Sequence, residues 1–236
     1  MPPLARFLVD ASSALPGAKR NTVLTTLLLT CEGAKLIVAC LQPFRHATAR
    51  IDEKLVLALY RVCDREGKLA LAQTAVFQRL TPPVFRKIFD ELYGRSDLTS
   101  AEQNAVLWEL EGFLFANPRQ APRYERLVAG LLKSPQLTLR VRAASLVGRL
   151  NRLDAASLTS FVRGLRSRSP HIRSNTLVGL WRMIERFDRL DPHLRDFLSS
   201  AAFRTQVSRM RRSDPEDTTR HNARAVLHAL RRVPRA

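Results

Sequence analysis

Apolar residues recur at helical spacing along most of the chain, whereas strict alternation of apolar and polar residues is rare. The spacing i, i+3, i+4, i+7 predicts short amphipathic helices, and each apolar stripe needs a packed neighbour to be stable. Stripes of this kind run over residues 24–31, 55–62, 85–92, 124–131, 158–165 and 194–201. The pattern therefore predicts an all-α fold.

Proline after a capping residue marks the predicted start of several helices. A capping side chain accepts a hydrogen bond from the first turn, and proline at the first helical position removes no helical hydrogen bond. Short helices with short connections also predict antiparallel neighbours. The predicted starts are Thr81-Pro82, Ser134-Pro135, Ser169-Pro170, Asp191-Pro192 and Asp214-Pro215.

The C-terminal half of the chain aligns with itself. Residues 134–140 and 214–220 share a capping residue, Pro, Thr and Arg at the same offsets, and residues 169–173 resemble this start shortened by two positions. The alignment predicts two sets of equivalent positions: Arg140, Arg173 and Arg220, then Arg142, Asn175 and Asn222.

A second register of the same repeat stays open at this point. It aligns residues 146–148 with residues 177–179, both Leu-Val-Gly, and places Arg142 opposite Arg173. In the first register the last interval is the longer one, so we place an additional helix at residues 202–212.

Three segments carry a resemblance to the HEAT-repeat family, clearest over residues 134–232. Each has an apolar residue, an arginine, small residues and leucine: Val141-Arg142-Ala-Ala-Ser-Leu-Val-Gly, Ile172-Arg173-Ser-Asn-Thr-Leu-Val-Gly-Leu and Thr219-Arg220-His-Asn-Ala-Arg-Ala-Val-Leu. The resemblance implies a right-handed α-solenoid of antiparallel helix pairs. We expect residues 1–133 to form an N-terminal helical stack of degenerate repeats, continuous with basic HEAT-like repeats over residues 134–236.

The formal net charge of +18 is unevenly distributed. Residues 1–134 hold 18 basic and 13 acidic side chains, whereas residues 135–236 hold 21 basic and 8 acidic ones. A surplus of this size attracts acidic or phosphate-bearing partners. The residues predicted to bind such a partner form two clusters, Arg163, Arg166 and Arg168 in one, and Arg204, Arg209, Arg211 and Arg212 in the other.

The aligned arginines are assigned a structural role instead. The resemblance implies that they pair with acidic residues of the same or the next repeat, for which Asp154, Asp188 and Asp191 are available. Asn175 and Asn222 are interpreted as residues that hydrogen-bond between repeats.

The chemistry-bearing motifs of common enzyme classes do not occur in the sequence. There is no H-E-x-x-H, no phosphate-binding G-x-x-x-x-G-K-[ST] and no G-x-S-x-G. We therefore predict no catalytic, cofactor-binding or metal-binding residue and no enzymatic activity. His221 and His228 are expected to be exposed, and Glu109 and Glu111 to be solvated.

The predicted function is a scaffold or adaptor whose basic half binds an acidic protein surface. The alternative is a nucleic-acid-binding protein that grips phosphates with the same arginines. A DNA glycosylase is a further alternative, since some are basic HEAT-like solenoids that use tryptophans and an aspartate. Trp108 and Trp181 invite that comparison, but no aspartate lies within a helical turn of Trp108, and Trp181 is expected in the core.

Cysteine usage favours a reducing compartment and hence a cytoplasmic protein, because Cys31, Cys40 and Cys63 form no C-x-x-C pair. The apolar stretch of residues 23–41 is too interrupted to span a membrane. Its basic start and its cysteine at position 31 leave a lipoprotein signal as an alternative. Contact with an anionic membrane ranks below the other partners, and the sequence does not determine the oligomeric state.

Overall fold

The computed structural model describes residues 53–72 and 76–234, and every regular element in these ranges is helical. The all-α prediction is confirmed for this part of the chain. The predicted stripe at residues 24–31 and the lipoprotein alternative lie outside it. The chain divides into two compact units, Met1–Ala116 and Asn117–Ala236. None of the described helices is long and apolar enough to cross a membrane.

The first unit contains four described α-helices. They are α1 (Glu53–Val62), α2 (Arg65–Ala72), α3 (Pro82–Tyr93) and α4 (Ser100–Ala116), with a 3-10 turn at Phe77–Arg79. The stripe at residues 85–92 is buried as predicted. Its Phe85 stacks on Phe113 of α4 with ring centroids 3.8 Å apart. Thr81 precedes α3 as predicted, but its hydroxyl donates to Glu53 Oε2 at 2.9 Å.

The prediction that Glu109 and Glu111 are solvated is wrong, because both side chains are buried. Neighbouring elements cover most of α4 between Val106 and Leu114, both carboxylates included, whereas Phe115 near its end is 69% exposed. Gln78 Nε2 donates to Glu109 Oε1 at 3.2 Å, which gives this carboxylate a polar partner inside the unit.

The second unit contains seven described α-helices. They are α5 (Glu125–Leu131), α6 (Leu137–Val147), α7 (Ala155–Arg163), α8 (Pro170–Ile184), α9 (Pro192–Ser199), α10 (Ala201–Ser213) and α11 (Asp217–Ala229). Turns of 3-10 helix occur at Pro118–Tyr124, Gly164–Arg166, Phe187–Arg189 and Leu230–Arg232. The additional helix expected at residues 202–212 is α10.

Helix α8 packs between α6 and α11, and α6 and α8 run parallel. Later residues of α6 contact later residues of α8: Ala144 lies against Gly179, and Ser145 accepts a hydrogen bond from Arg182. Between α11 and α8, Asn222 Nδ2 donates to Ser174 Oγ at 2.7 Å, so the predicted role of Asn222 between repeats is confirmed. Asn175 instead donates to the His171 carbonyl within its own helix at 2.9 Å.

Gly179 sets how closely α6 and α8 approach. A Cβ atom built on it would lie 2.4 Å from the Ala144 carbonyl oxygen, and backbone cannot yield as a flexible side chain can. At Gly130 of α5, by contrast, a Cβ would meet nothing within 4 Å.

We expect Gly179→Ala to lower the free energy of unfolding by about 2 kcal/mol, because the methyl group forces the two helices apart. Gly130→Ala should raise it by about 0.5 kcal/mol, since alanine has the better helix propensity and nothing opposes it. Urea unfolding followed by circular dichroism measures both. Equal effects of the two substitutions would contradict the close approach of α6 and α8.

Candidate binding groove built from the repeat

One hydrogen-bonding arrangement recurs at three helix starts of the second unit. Arg140, Arg173 and Arg220 are each the fourth residue of a helix, α6, α8 and α11. In each, Nη1 donates to the carbonyl oxygen six residues earlier, at 2.6, 2.9 and 2.5 Å respectively. The guanidinium thereby ties the helix to the turn that precedes it.

The residues that supply those carbonyls are also equivalent in their side chains. The side-chain oxygens of Ser134, Ser167 and Asp214 each accept the backbone N–H two residues later, at 3.2, 3.2 and 3.0 Å. Residues 134–140, 167–173 and 214–220 therefore align without a gap.

This alignment corrects the start predicted at Ser169, which is not a shortened version of the other two. Its proline lies two positions later in the motif, so α8 begins at its proline while α6 and α11 begin two residues after theirs. The structure also decides between the registers, because Arg140, like Arg173, donates to the carbonyl oxygen six residues before it. The buried positions agree, since Ala143, Thr176 and Ala223 are all inaccessible to solvent.

Arg173 carries a second contact, to the next repeat. Its Nε and Nη2 atoms each donate to one carboxylate oxygen of Asp214 at 2.8 Å, and both side chains are largely buried. Burial alone would raise the pKa of Asp214, but the hydrogen bonds from Arg173 and the Glu216 N–H hold that pKa below its usual value. The bond to Asp214 raises the pKa of Arg173.

Two of the aligned arginines pair with an acidic residue of the same or the next repeat, as expected, but not with the aspartates expected for this role. Arg173 pairs with Asp214, and Arg220 pairs with Asp217 in its own helix. Asp154 caps α7 by accepting the Ser157 N–H at 2.9 Å, and Asp191 lies 3.3 Å from Arg152. Sequence distance concealed the pair between Arg173 and Asp214, because an additional helix separates them.

Three adjoining cavities form one groove in the second unit, with volumes of about 560, 350 and 550 Å³. Arg163 lines the first two cavities, Arg166 lines all three, and Phe197 and Gln206 line the second and third. We call this surface the basic groove. Its basic lining residues are Lys133, Arg140, Arg163, Arg166 and Arg209.

The basic groove combines positive charge with apolar walls. Among the described residues that line it, none is an aspartate or a glutamate. Leu158, Val162 and Phe197 line the second cavity and are only partly covered, although the helical pattern marks all three as core positions. An anionic ligand with some apolar side chains would therefore find both of its requirements here.

The predicted clusters divide between this groove and other surfaces. Arg163, Arg166 and Arg209 are exposed and line it, whereas the exposed Arg168, Arg211 and Arg212 line none of the three cavities. The sequence-based list omitted Lys133 and Arg140, which lie far from Arg166 along the chain.

Arg204, predicted to bind an anionic partner, instead binds the backbone of its own chain. Its guanidinium donates to the carbonyl oxygens of Leu230 at 2.9 Å and Val233 at 3.0 Å, so it closes the end of the last helical segment. Because both terminal nitrogens of Arg204 bind backbone carbonyls and its Nε is buried, we assign this side chain a role in the fold.

The expectation that Trp181 lies in the core is also wrong, since it is 37% exposed. It lines a separate cavity of about 480 Å³ together with Phe187, Asp188 and His228. Trp108, the other tryptophan of the glycosylase alternative, belongs to the first unit. His221 and His228 are exposed, as expected.

No family model matches the chain, and no curated protein matches it significantly. A crystal structure of an engineered protein from a structural genomics consortium has a TM-score of 0.50 and 11% identity, covering 98% of both chains. A designed armadillo repeat protein in complex with the peptide (KR)4 has a TM-score of 0.43 and 11% identity, covering 97% of this chain and 99% of that one. The first match bears on the fold alone, and the repeat character of the second unit rests on its recurring helix starts.

We expect Asp214→Asn to lower the free energy of unfolding by about 3 kcal/mol, because it leaves the Arg173 guanidinium buried without its counter-charge. Asp217→Asn is the matched control. Its carboxylate is 92% exposed and pairs with Arg220, so the change should cost about 0.5 kcal/mol. Urea unfolding at neutral pH compares the two variants, and a cost for Asp214→Asn as small as that of Asp217→Asn would contradict the buried pair.

The same pair should make stability depend on acidity. The pKa of Asp214 is lower in the folded state than in the unfolded state, where it is about 3.9. The ionised carboxylate therefore contributes fully to the free energy of unfolding above that pH, and the contribution is lost as pH falls through the pKa of the folded state. The difference in urea midpoint between the wild type and Asp214→Asn should therefore shrink below about pH 3.9. A difference that stays constant down to pH 2 would show that the charge of Asp214 contributes nothing.

Proposed function

We propose that this protein is a non-catalytic interaction module of the cytoplasm that binds an acidic segment of a partner protein in the basic groove. Its fold, in this proposal, is a HEAT-like right-handed solenoid of antiparallel helix pairs. The observation that carries the proposal is the groove itself, in which three cavities share lining residues and basic side chains occur without an acidic one among the described residues.

The charges of the groove suit carboxylates spaced along an extended peptide. Lys133 and Arg140 line the first cavity, Arg166 all three, and Arg209 the third. Arginine forms paired hydrogen bonds with a carboxylate, and such charge-assisted bonds are stronger than neutral ones. Residues of one acidic segment could therefore be bound in successive cavities.

The apolar walls favour a peptide over a nucleic acid. The partly exposed aliphatic side chains of Leu158 and Val162 accommodate apolar peptide side chains. Binding of a single strand relies on exposed aromatic faces that stack on bases. Of the phenylalanines lining the groove, Phe161 and Phe203 are buried, which leaves Phe197 partly exposed. Nucleic acid remains the alternative that the experiment must separate.

A fluorescein-labelled peptide of twelve alternating Glu and Leu residues, amidated at its C-terminus, tests the proposal by fluorescence anisotropy. We expect binding that weakens as salt rises, because the attraction is electrostatic. The double variant Arg163→Ser/Arg166→Ser should weaken binding at least about tenfold, which corresponds to about 1.4 kcal/mol.

The double variant Arg211→Ser/Arg212→Ser is the matched control, because it removes the same charge from exposed positions that do not line the groove. It should retain the affinity of the wild type. Equal losses in the two double variants would contradict a groove-specific site. Tight binding of a labelled single-stranded DNA, with no binding of the peptide, would replace the proposal with the nucleic-acid alternative.

A further inference from the structure

The repeated arginine arrangement is complete at Arg173 but incomplete at Arg140. Both use Nη1 to bind the carbonyls of the preceding turn, which for Arg140 are those of Ser134 at 2.6 Å and Pro135 at 2.8 Å. Arg173 also uses Nε and Nη2 to hold the Asp214 carboxylate. Within the described residues, the Nε–Nη2 edge of Arg140 contacts no carboxylate.

Ser167 is the residue equivalent to Asp214 in the repeat that follows Arg140. An aspartate at this position would give Arg140 the carboxylate partner that Asp214 gives Arg173. Ser167 and Asp214 both lie six residues before the arginine of their own repeat, and both accept the backbone N–H two residues later. Each is therefore the neighbour of the arginine in the repeat before it. Serine is neutral and shorter than aspartate, and both Arg140 and Ser167 line the first cavity of the groove.

We infer that Arg140 and the space beside Ser167 form a seat for one side-chain carboxylate of the acidic segment. The Arg173–Asp214 pair supplies its geometry, with two parallel N–H···O hydrogen bonds of 2.8 Å. Lys133, Arg163 and Arg166 line the same cavity and add positive charge around the seat. This inference rests on the proposed function for its ligand, but its first test does not.

The first test supplies the carboxylate from the chain itself. Ser167→Asp should raise the melting temperature by about 3 °C, the size expected from one added ion pair in a protein of this length. In the Arg140→Gln background the same substitution should give no rise, because the guanidinium that binds the carboxylate is missing. Ser167→Asn, of the same size but neutral, should not raise the melting temperature in either background.

The second test uses the amidated Glu-Leu peptide, whose C-terminus carries no carboxylate. Ser167→Asp should weaken its binding about tenfold, since it occupies the seat, whereas Ser167→Asn should leave the affinity unchanged. Arg140→Lys should also weaken binding, because an ammonium group cannot form the paired hydrogen bonds. With Arg140→Gln already present, Ser167→Asp should add little further loss.

The two tests distinguish failure of the seat from failure of the proposed function. A Ser167→Asp effect on melting temperature that is independent of Arg140 overturns the seat, even if the peptide binds the wild type. A stabilisation that does require Arg140, together with no peptide binding by the wild type, supports the geometry of the seat and overturns the proposed function.

Discussion

The second unit depends on one recurring hydrogen bond, in which an arginine side chain donates to the backbone carbonyl six residues before it. It fixes the direction in which α6, α8 and α11 leave their preceding turns, and it does so with only part of the guanidinium. The remaining donors of Arg173 reach the next repeat through Asp214. Arg173 thus fixes the start of α8 and, through Asp214, the position of α11 in the next repeat. Gly179 allows α6 and α8 to approach closely.

The arginine surplus therefore has two separate uses. Some arginines satisfy carbonyls of the chain itself, as Arg204 does, and Arg186 likewise donates to the Arg149 carbonyl at 3.0 Å. Burial, followed by the charges of Arg149, Arg189 and Arg182, lowers the pKa of Arg186 to about 10. Others, such as Arg163 and Arg166, are exposed beside apolar walls, and these give the basic groove its charge.

Apolar spacing predicted where most helices lie, because it acts within one helix, but at none of the five predicted starts does the residue before the helix cap it through its side chain. Phe85 and its stripe are buried, and the extra helix before Asp214 is present. Most contacts between distant positions could not be predicted in this way, although the repeat alignment did predict the bond of Asn222 to another repeat. The role of Arg204 depends on the carbonyls of Leu230 and Val233, and Trp181 is exposed because its neighbours in the repeat do not cover it. The sequence comparison missed that Ser167 is equivalent to Ser134 and Asp214, because proline does not directly follow it as it follows the other two.

Arginine side-chain resonances offer the most direct measurement of how the groove works. The Nε–Hε signals of the second unit, assigned by single substitutions, can be followed by nuclear magnetic resonance while the Glu-Leu peptide is added. The signals of Arg140, Arg163 and Arg166 should shift progressively, whereas that of Arg173 should stay in place because Asp214 already occupies it. Shifts confined to Arg211 and Arg212, or none at all, would contradict the basic groove as the binding surface.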